Sequence, residues 1–336
     1  MNILNSIICV DSHTMGEPTR VIIGGIPNII GKNMLEKKHY CENNMDDIRK
    51  ALMLEPRGHD NMFGAIIVPP TLPEADLGVI FLESGGYLNM CGHGTMGVAT
   101  VALEMGLLKK TEPETKMVFE TPAGLVNVSA KIENGNIVSI TFQNVPAFLF
   151  KEAITLDLDN YKDVLLDIAF GGNFFAIVDT KQLGIDIVKG NITKFTEIGM
   201  EILDIVNKKI KVSHPEKPYI NTIDLVEFSH SLNTSTQFIT KNIVIFGNNS
   251  VDRSPCGTGT CAKMASLYHK GKLNKGENFV NEGILGNSFT GRIVGTTKVG
   301  TFDAIIPEIT GKAFITGINN YIITAEDPFK YGFSLR

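Results

Sequence analysis

YLNMCGHGTMGVATVALEMG, residues 87–106, and VDRSPCGTGTCAKMASLYHKG, residues 251–271, are two versions of one pattern. Each approaches through a β-like segment, passes through Cys-Gly-x-Gly-Thr and enters a helix-forming stretch closed by glycine. The two turn cysteines, Cys91 and Cys256, stand about half the chain apart. That separation is expected if each half supplies one copy of a strand, glycine-rich turn and helix unit. In the first copy Met96, Val98, Ala99, Val101, Ala102 and Leu103 leave almost no polar face. A helix of that kind is predicted to be enclosed by its own sheet.

The rest of the chain agrees with a two-part design. Its 336 residues, 43% of them apolar, are more than one small core needs and suit two lobes of roughly 150 residues each. The expected division gives residues 1–124 and about 320–336 to a first lobe carrying Cys91, and 125–319 to a second carrying Cys256. No low-complexity stretch or Pro/Ser linker separates the halves. RVIIGG (20–25), GAIIVPP (64–70), LGVIFLE (77–83), MVFETPAG (117–124) and NIVSITFQNV (136–145) read as strands. Asn44 followed by MDDIRKALMLEP predicts a helix with Asn44 as its cap, two acids in the first turn and Pro56 just beyond its end. A further helix is predicted over 193–210 from the spacing of Phe195, Ile198, Ile202 and Ile205.

Net charge and cysteine usage exclude several function classes. A formal charge of -5, with no block of Lys or Arg interleaved with aromatics, argues against a nucleic-acid partner. The opening MNILNSIICVDSH has an apolar run shorter than a signal-peptide core and no basic leader, and no segment approaches the roughly 18 apolar residues of a membrane span. The expected setting is therefore cytoplasmic, away from the membrane. Five cysteines in a long chain point to free thiols, with Cys9 and Cys41 read as small packed side chains.

Cys91 and Cys256 carry the chemistry. A thiol at a helix start sits beside unpaired backbone N–H groups and the positive end of the dipole. Such positions lower a cysteine pKa from about 8.5 to roughly 3.5–7.5. The same N–H groups can hold a small carboxylate, as an α-amino acid would present it. Inverting an amino acid at Cα needs one group to remove a proton and another to deliver one to the opposite face, which a thiolate and a thiol can do. Backbone donors would stabilise charge building on the carboxylate as the carbanion forms. No lysine motif marks a pyridoxal Schiff base. On these residues alone, a pair of purely structural tight turns stays open.

At these residues the sequence resembles the proline racemase family, which also contains 4-hydroxyproline 2-epimerases and trans-3-hydroxyproline dehydratases. The resemblance runs through DSHTMGEPTR (11–20), EPRGHDNMFGA (55–65), GGYLNMCGHGT (85–95), FGGNFFAIVD (170–179) and VDRSPCGTGT (251–260). It implies an α/β (α+β) fold of the diaminopimelate-epimerase type: two pseudo-symmetric lobes, each with a sheet wrapped around a central helix, with the active site in the cleft between them. It also implies a homodimer, no metal and no cofactor, and a small-molecule substrate, proline or hydroxyproline.

Carried over by motif, Cys91 and Cys256 would be the catalytic acid/base pair. Loss of one cysteine marks the dehydratases, and both are present here. Gly92, His93, Gly257 and Thr258 would line the carboxylate and amine region, and Asp252 would accept a hydrogen bond from the ring ammonium. The plainer readings are a turn-stabilising Asp252 and a structural His93. Phe63 and Phe246 would wall the pyrrolidine ring. An unpartnered hydroxyl against them would cost roughly 1–3 kcal/mol, which favours proline over 4-hydroxyproline. Core packing is the alternative for either phenylalanine. Cys261 stands where related motifs carry Ser and reads as a packed thiol. His13, Glu17 and His59 read as structural or supporting positions.

The nearest rival reading is 4-hydroxyproline 2-epimerisation or broader amino-acid racemisation on the same scaffold. Diaminopimelate epimerases are shorter and carry Asn where this chain has His93. A zinc-binding or redox-sensing protein using Cys91, His93, Cys256 and Cys261 has four N/S ligands, but its Cys-x-His and Cys-x4-Cys spacings differ from common zinc motifs.

Overall fold

A computed structural model describes residues 2–232, 238–247 and 249–335. The chain forms two compact units, Met1–Phe142 with Lys312–Arg336, and Gln143–Gly311.

The first unit contains β1 (Ile3–Thr14), β2 (Glu17–Gly24), α1 (Met34–Asn44), α2 (Asp46–Met53), β3 (Phe63–Val68), β4 (Leu77–Glu83), β5 (Tyr87–Leu88), α3 (Gly92–Glu104), β6 (Glu114–Thr121), β7 (Gly124–Glu133) and most of β8 (Asn136–Gln143). The chain leaves for the second unit through β9 (Ala147–Leu156), β10 (Val164–Phe170), β11 (Phe174–Asp179), α4 (Ile192–Lys209), β12 (Ile223–Ser231), β13 (Phe238–Phe246), β14 (Ser250–Asp252), α5 (Gly257–His269), β15 (Asn278–Glu282), β16 (Ser288–Val299) and β17 (Phe302–Gly311). It returns to the first unit as β18 (Ala313–Thr324).

In the first unit β1 lies between β18 and β2, antiparallel to both. Met15 and Gly16 both take positive φ in the two-residue turn, as a hairpin of this twist requires. The sheet continues through β3, β4 and β6 to β7, with β5 paired to β4. Helix α3 packs against β1, β2, β3 and β18. Every residue from Gly92 to Leu103 is buried, so the helix without a polar face is indeed enclosed by strands of its own unit. The expected boundary after residue 124 falls at the tip of the β6–β7 hairpin, where Thr121 pairs with Gly124. A cut there would separate β7 from the strand that satisfies its backbone, so the unit runs on to Phe142.

In the second unit each strand finds a neighbour until the series closes. β9 pairs with β10, β10 with β11, β11 with β12, β12 with β13, β13 with β15, β15 with β16 and β16 with β17. Pairing of Ala304 and Ile305 in β17 with Phe148 and Ala147 in β9 then completes a barrel. Closure leaves none of these strands as an open edge. Helix α5 packs against β9, β10, β11, β16 and β17. Helix α4 packs on β12 and β13 through the Phe195–Phe228 ring pair, centroids 5.0 Å apart.

The two central helices end alike. After α3, Gly106 takes φ +69° and Leu108 N–H donates to Ala102 C=O; after α5, Gly271 takes φ +65° and Lys272 N–H donates to Leu267 C=O. Left-handed φ at this position favours glycine because no Cβ meets the preceding carbonyl.

One expected cap is corrected. Asn44 is the last residue of α1, where its Nδ2 donates to the Tyr40 carbonyl, and α2 starts at Asp46 without a side-chain cap. The capped helix is α1: Asn33 Oδ1 accepts from Glu36 N–H at 2.8 Å, and Asn33 Nδ2 reaches back to Glu36 Oε1. Among the described residues no helix is long and apolar enough to cross a membrane.

Candidate active site

Each Cys-Gly-x-Gly-Thr turn folds into a helix start with the cysteine as N-cap. Cys91 Sγ accepts from Gly94 N–H at 3.2 Å, and Cys256 Sγ accepts from Gly259 N–H at 3.4 Å. The threonine four residues on donates its hydroxyl back to the cysteine carbonyl, Thr95 to Cys91 and Thr260 to Cys256, both at 2.7 Å. A sulfur held against helix-start N–H groups is favoured as a thiolate by those donors and by the dipole. Cys91 is 5% exposed and Cys256 3%, so whatever charge the sulfurs carry is poorly screened by water.

Around Cys91 the sequence-predicted residues converge. His93 Nδ1 lies 3.3 Å from Cys91 Sγ and Nε2 3.7 Å, so the imidazole can exchange a hydrogen bond with the sulfur. Thr14 Oγ1 donates to the His93 carbonyl at 2.8 Å, tying α3 to β1. The Phe63 ring stands edge-on to the imidazole, centroids 4.4 Å apart and planes at 67°. His93 is thus a direct neighbour of the Cys91 sulfur. Phe63 packs in the core and against this imidazole at once. Gly92 is buried as the first residue of α3.

Around Cys256 the same turn is built differently. Cys256 holds φ 59°, a left-handed value that costs a residue with a side chain about 1–3 kcal/mol. Ser254 fixes it: its Oγ accepts the Cys256 N–H at 3.1 Å and donates to Asp252 Oδ1 at 2.7 Å, while Ser254 N–H donates to the same oxygen at 2.8 Å. Asp252 is therefore turn-stabilising through Oδ1. Thr258 Oγ1 lies 3.9 Å from Cys256 Sγ, the place that His93 takes beside Cys91. Gly257 opens α5 and is buried. Phe246 is 5% exposed and shares an apolar cluster with Cys256, Phe175, Leu225 and Val244.

The remaining cysteines are packed side chains. Burial pushes the thiols of Cys9, Cys41 and Cys261 up to about 12, far from a functional range. Among the described residues no group of three or more His, Cys, Asp or Glu side chains is placed to hold a metal ion, so the zinc reading finds no ligand set there. His13 closes the β1–β2 turn by accepting Gly16 N–H at 3.2 Å and stacks on Phe314. Glu17 is fully buried, and His59 lies on the surface. One buried group escaped sequence reasoning: Glu227 of β12, a carboxyl with none of its surface exposed beside the first turn of α5.

A central helix capped by a buried thiol occurs once in a strand-wrapped unit and once in a closed barrel of this mixed α/β fold, and the family match makes the protein an isomerase. The chain belongs to the proline racemase family, whose model matches residues 9–334. It is 51% identical to the proline racemase of Clostridioides difficile over the full length of both chains. It is 46% identical to proline racemase A of Trypanosoma cruzi, covering all of this chain and 84% of that one. The solved structure of a hydroxyproline epimerase from Agrobacterium vitis, with bound trans-4-OH-L-proline, superposes with a TM-score of 0.94 at 33% identity and covers 100% of this chain and 97% of its own.

Proposed function

We propose that this chain racemises proline without a cofactor, using Cys91 and Cys256 as alternating acid and base. The observation that carries the proposal is that each cysteine caps a central helix and takes an N–H bond on sulfur from the residue three positions on. In one direction a thiolate takes the Cα proton and the other cysteine, as the thiol, delivers its own proton to the opposite face. The S–H and C–H bonds exchange one for one, and no electrons leave the substrate. For the other enantiomer the roles reverse. Helix-start N–H groups among Gly92, His93, Gly257 and Thr258 would hold the substrate carboxylate and spread the carbanion's charge. Asp252 would accept from the ring ammonium, in addition to its bonds with Ser254.

Phe63 and Phe246 support proline over 4-hydroxyproline. Both rings are buried, Phe246 in an apolar cluster with Cys256 and Phe63 against Phe81 and the His93 imidazole, and a ring hydroxyl against the phenyl faces would lose its water. A homodimer remains part of this proposal on family resemblance, and a cytoplasmic setting remains part of it as an expectation of the sequence.

The test is turnover of L-proline in deuterium oxide, stopped early and resolved by chiral chromatography with mass detection. D-proline carrying one deuteron, with recovered L-proline still unlabelled, is the expected result. Deuterium entering L-proline as fast as D-proline forms would indicate a single base and overturn the two-thiol scheme.

A further inference from the structure

Glu227 projects from β12 with Oε1 accepting a hydrogen bond from Asn242 Nδ2 at 3.4 Å, while Oε2 has no hydrogen-bond partner among the described residues. That second oxygen faces the start of α5. A Cβ placed on Gly259 would stand 2.8 Å from Glu227 Oε2, 3.0 Å from Cys256 Sγ and 3.2 Å from the Phe175 ring. Glycine at 259 therefore lets a carboxyl and a thiol share one small space against an aromatic wall. No other residue could stand there without moving one of them.

We propose that Glu227 is a positioning residue for the proton on Cys256: as a neutral acid it permits the thiolate, and as a carboxylate it holds Cys256 in the thiol form. This inference rests on reading Cys256 as an acid/base group. Two like charges a few ångströms apart and out of water repel strongly, so both cannot ionise at the same pH. The groups facing Glu227 are Asn242 from β13, Asp252 from β14, and Cys256, Cys261 and Lys263 from α5. Burial pushes the carboxyl up to about 7, opposed by Lys263 and Asn242 and assisted by Asp252. It thus changes charge where the thiols have to work.

The two helix starts are then biased in opposite senses. Cys91 has an imidazole at 3.3 Å, which favours a thiolate when it carries or donates a proton. Cys256 has a carboxyl instead, which favours the thiol. Such a difference sets which thiol holds the shared proton at rest, in a pair whose roles exchange between the two enantiomers.

The experiment follows alkylation of Cys256 by iodoacetamide from about pH 5 to about pH 10 in the Cys91→Ser chain, counting the modified Cys256 peptide by mass spectrometry. With Glu227 present, the curve should be broader than a one-proton titration, because the two groups titrate together. Glu227→Gln should narrow it and move its midpoint down by about one pH unit, whereas Glu227→Asp, which keeps the charge, should leave the midpoint in place. A one-proton curve with Glu227 present overturns the proposal, and this arm needs no variant at 227. An unmoved midpoint in Glu227→Gln, or an equal shift in Glu227→Asp, also overturns it. The readout requires no turnover, so a chain that fails to racemise proline would still show whether Glu227 controls the thiol.

Discussion

Nδ1 of His93 lies 3.3 Å from the sulfur of Cys91, on the first turn of the helix that this cysteine caps. Replacing His93 by Ala removes this neighbour from the sulfur and keeps the Gly94 N–H donor. Racemisation should fall by about ten- to a hundredfold in kcat, and the pH dependence of Cys91 alkylation should move upward. Unchanged kinetics and an unchanged alkylation profile would reduce His93 to a packing partner of Phe63.

Cys91→Ser and Cys256→Ser should each abolish racemisation, by about a thousandfold or more, because a serine hydroxyl is far too weak an acid to exchange the proton at neutral pH. Iodoacetate should inactivate the parent chain, and a planar carboxylate such as pyrrole-2-carboxylate should protect it. A fully active single mutant would remove that cysteine from the mechanism.

Phe246→Ser should weaken the use of proline, with kcat/KM down by about tenfold, since a polar hole replaces the ring that packs with Cys256, Leu225 and Val244. Circular dichroism must accompany the assay, because the same ring belongs to the core. Retained structure with unchanged proline kinetics would remove the main ground for preferring proline to hydroxyproline.

The buried Glu227 carboxyl also predicts how stability depends on pH. Its folded value, about 7, lies above the ordinary 4.5, so the folded chain holds this proton over a range where the unfolded chain has lost it. The contribution is fully favourable below about pH 4.5, declines as pH rises, and is lost above about pH 7, a change on the order of 3 kcal/mol. Chemical denaturation at a series of pH values should show this decline in the parent and a flatter profile in Glu227→Gln. Identical slopes in the two chains would contradict it.

Much of the site was legible because its signals are local. The repeated Cys-Gly-x-Gly-Thr turns, the closing Gly106 and Gly271, and the polar-free stretch from Met96 to Leu103 each specify backbone or burial within a few residues. LGVIFLE coincides with β4. What escaped depends on distant partners. Closure of the barrel pairs Ala304 with Phe148, and nothing near either residue announces the other. Helix α1 is hard to read because MLEKKHYCENN buries only Met34, Lys37 and Cys41 and shows little apolar periodicity, although Asn33 and Glu36 carry the capping signal. Glu227 stands between Val226 and Phe228 in the strand IDLVEFSHS, and an acid flanked on both sides by apolar residues is the available clue. Its proximity to Gly259 follows only from the enclosure of α5.

The most direct test of proline racemisation is polarimetry of purified protein under reducing conditions, with L-proline and trans-4-hydroxy-L-proline assayed in parallel. Optical rotation should decay to zero with L-proline, and hydroxyproline should be processed far more slowly. Activity confined to hydroxyproline would keep the two thiols and contradict the assigned substrate, and no change with either amino acid would contradict the function itself.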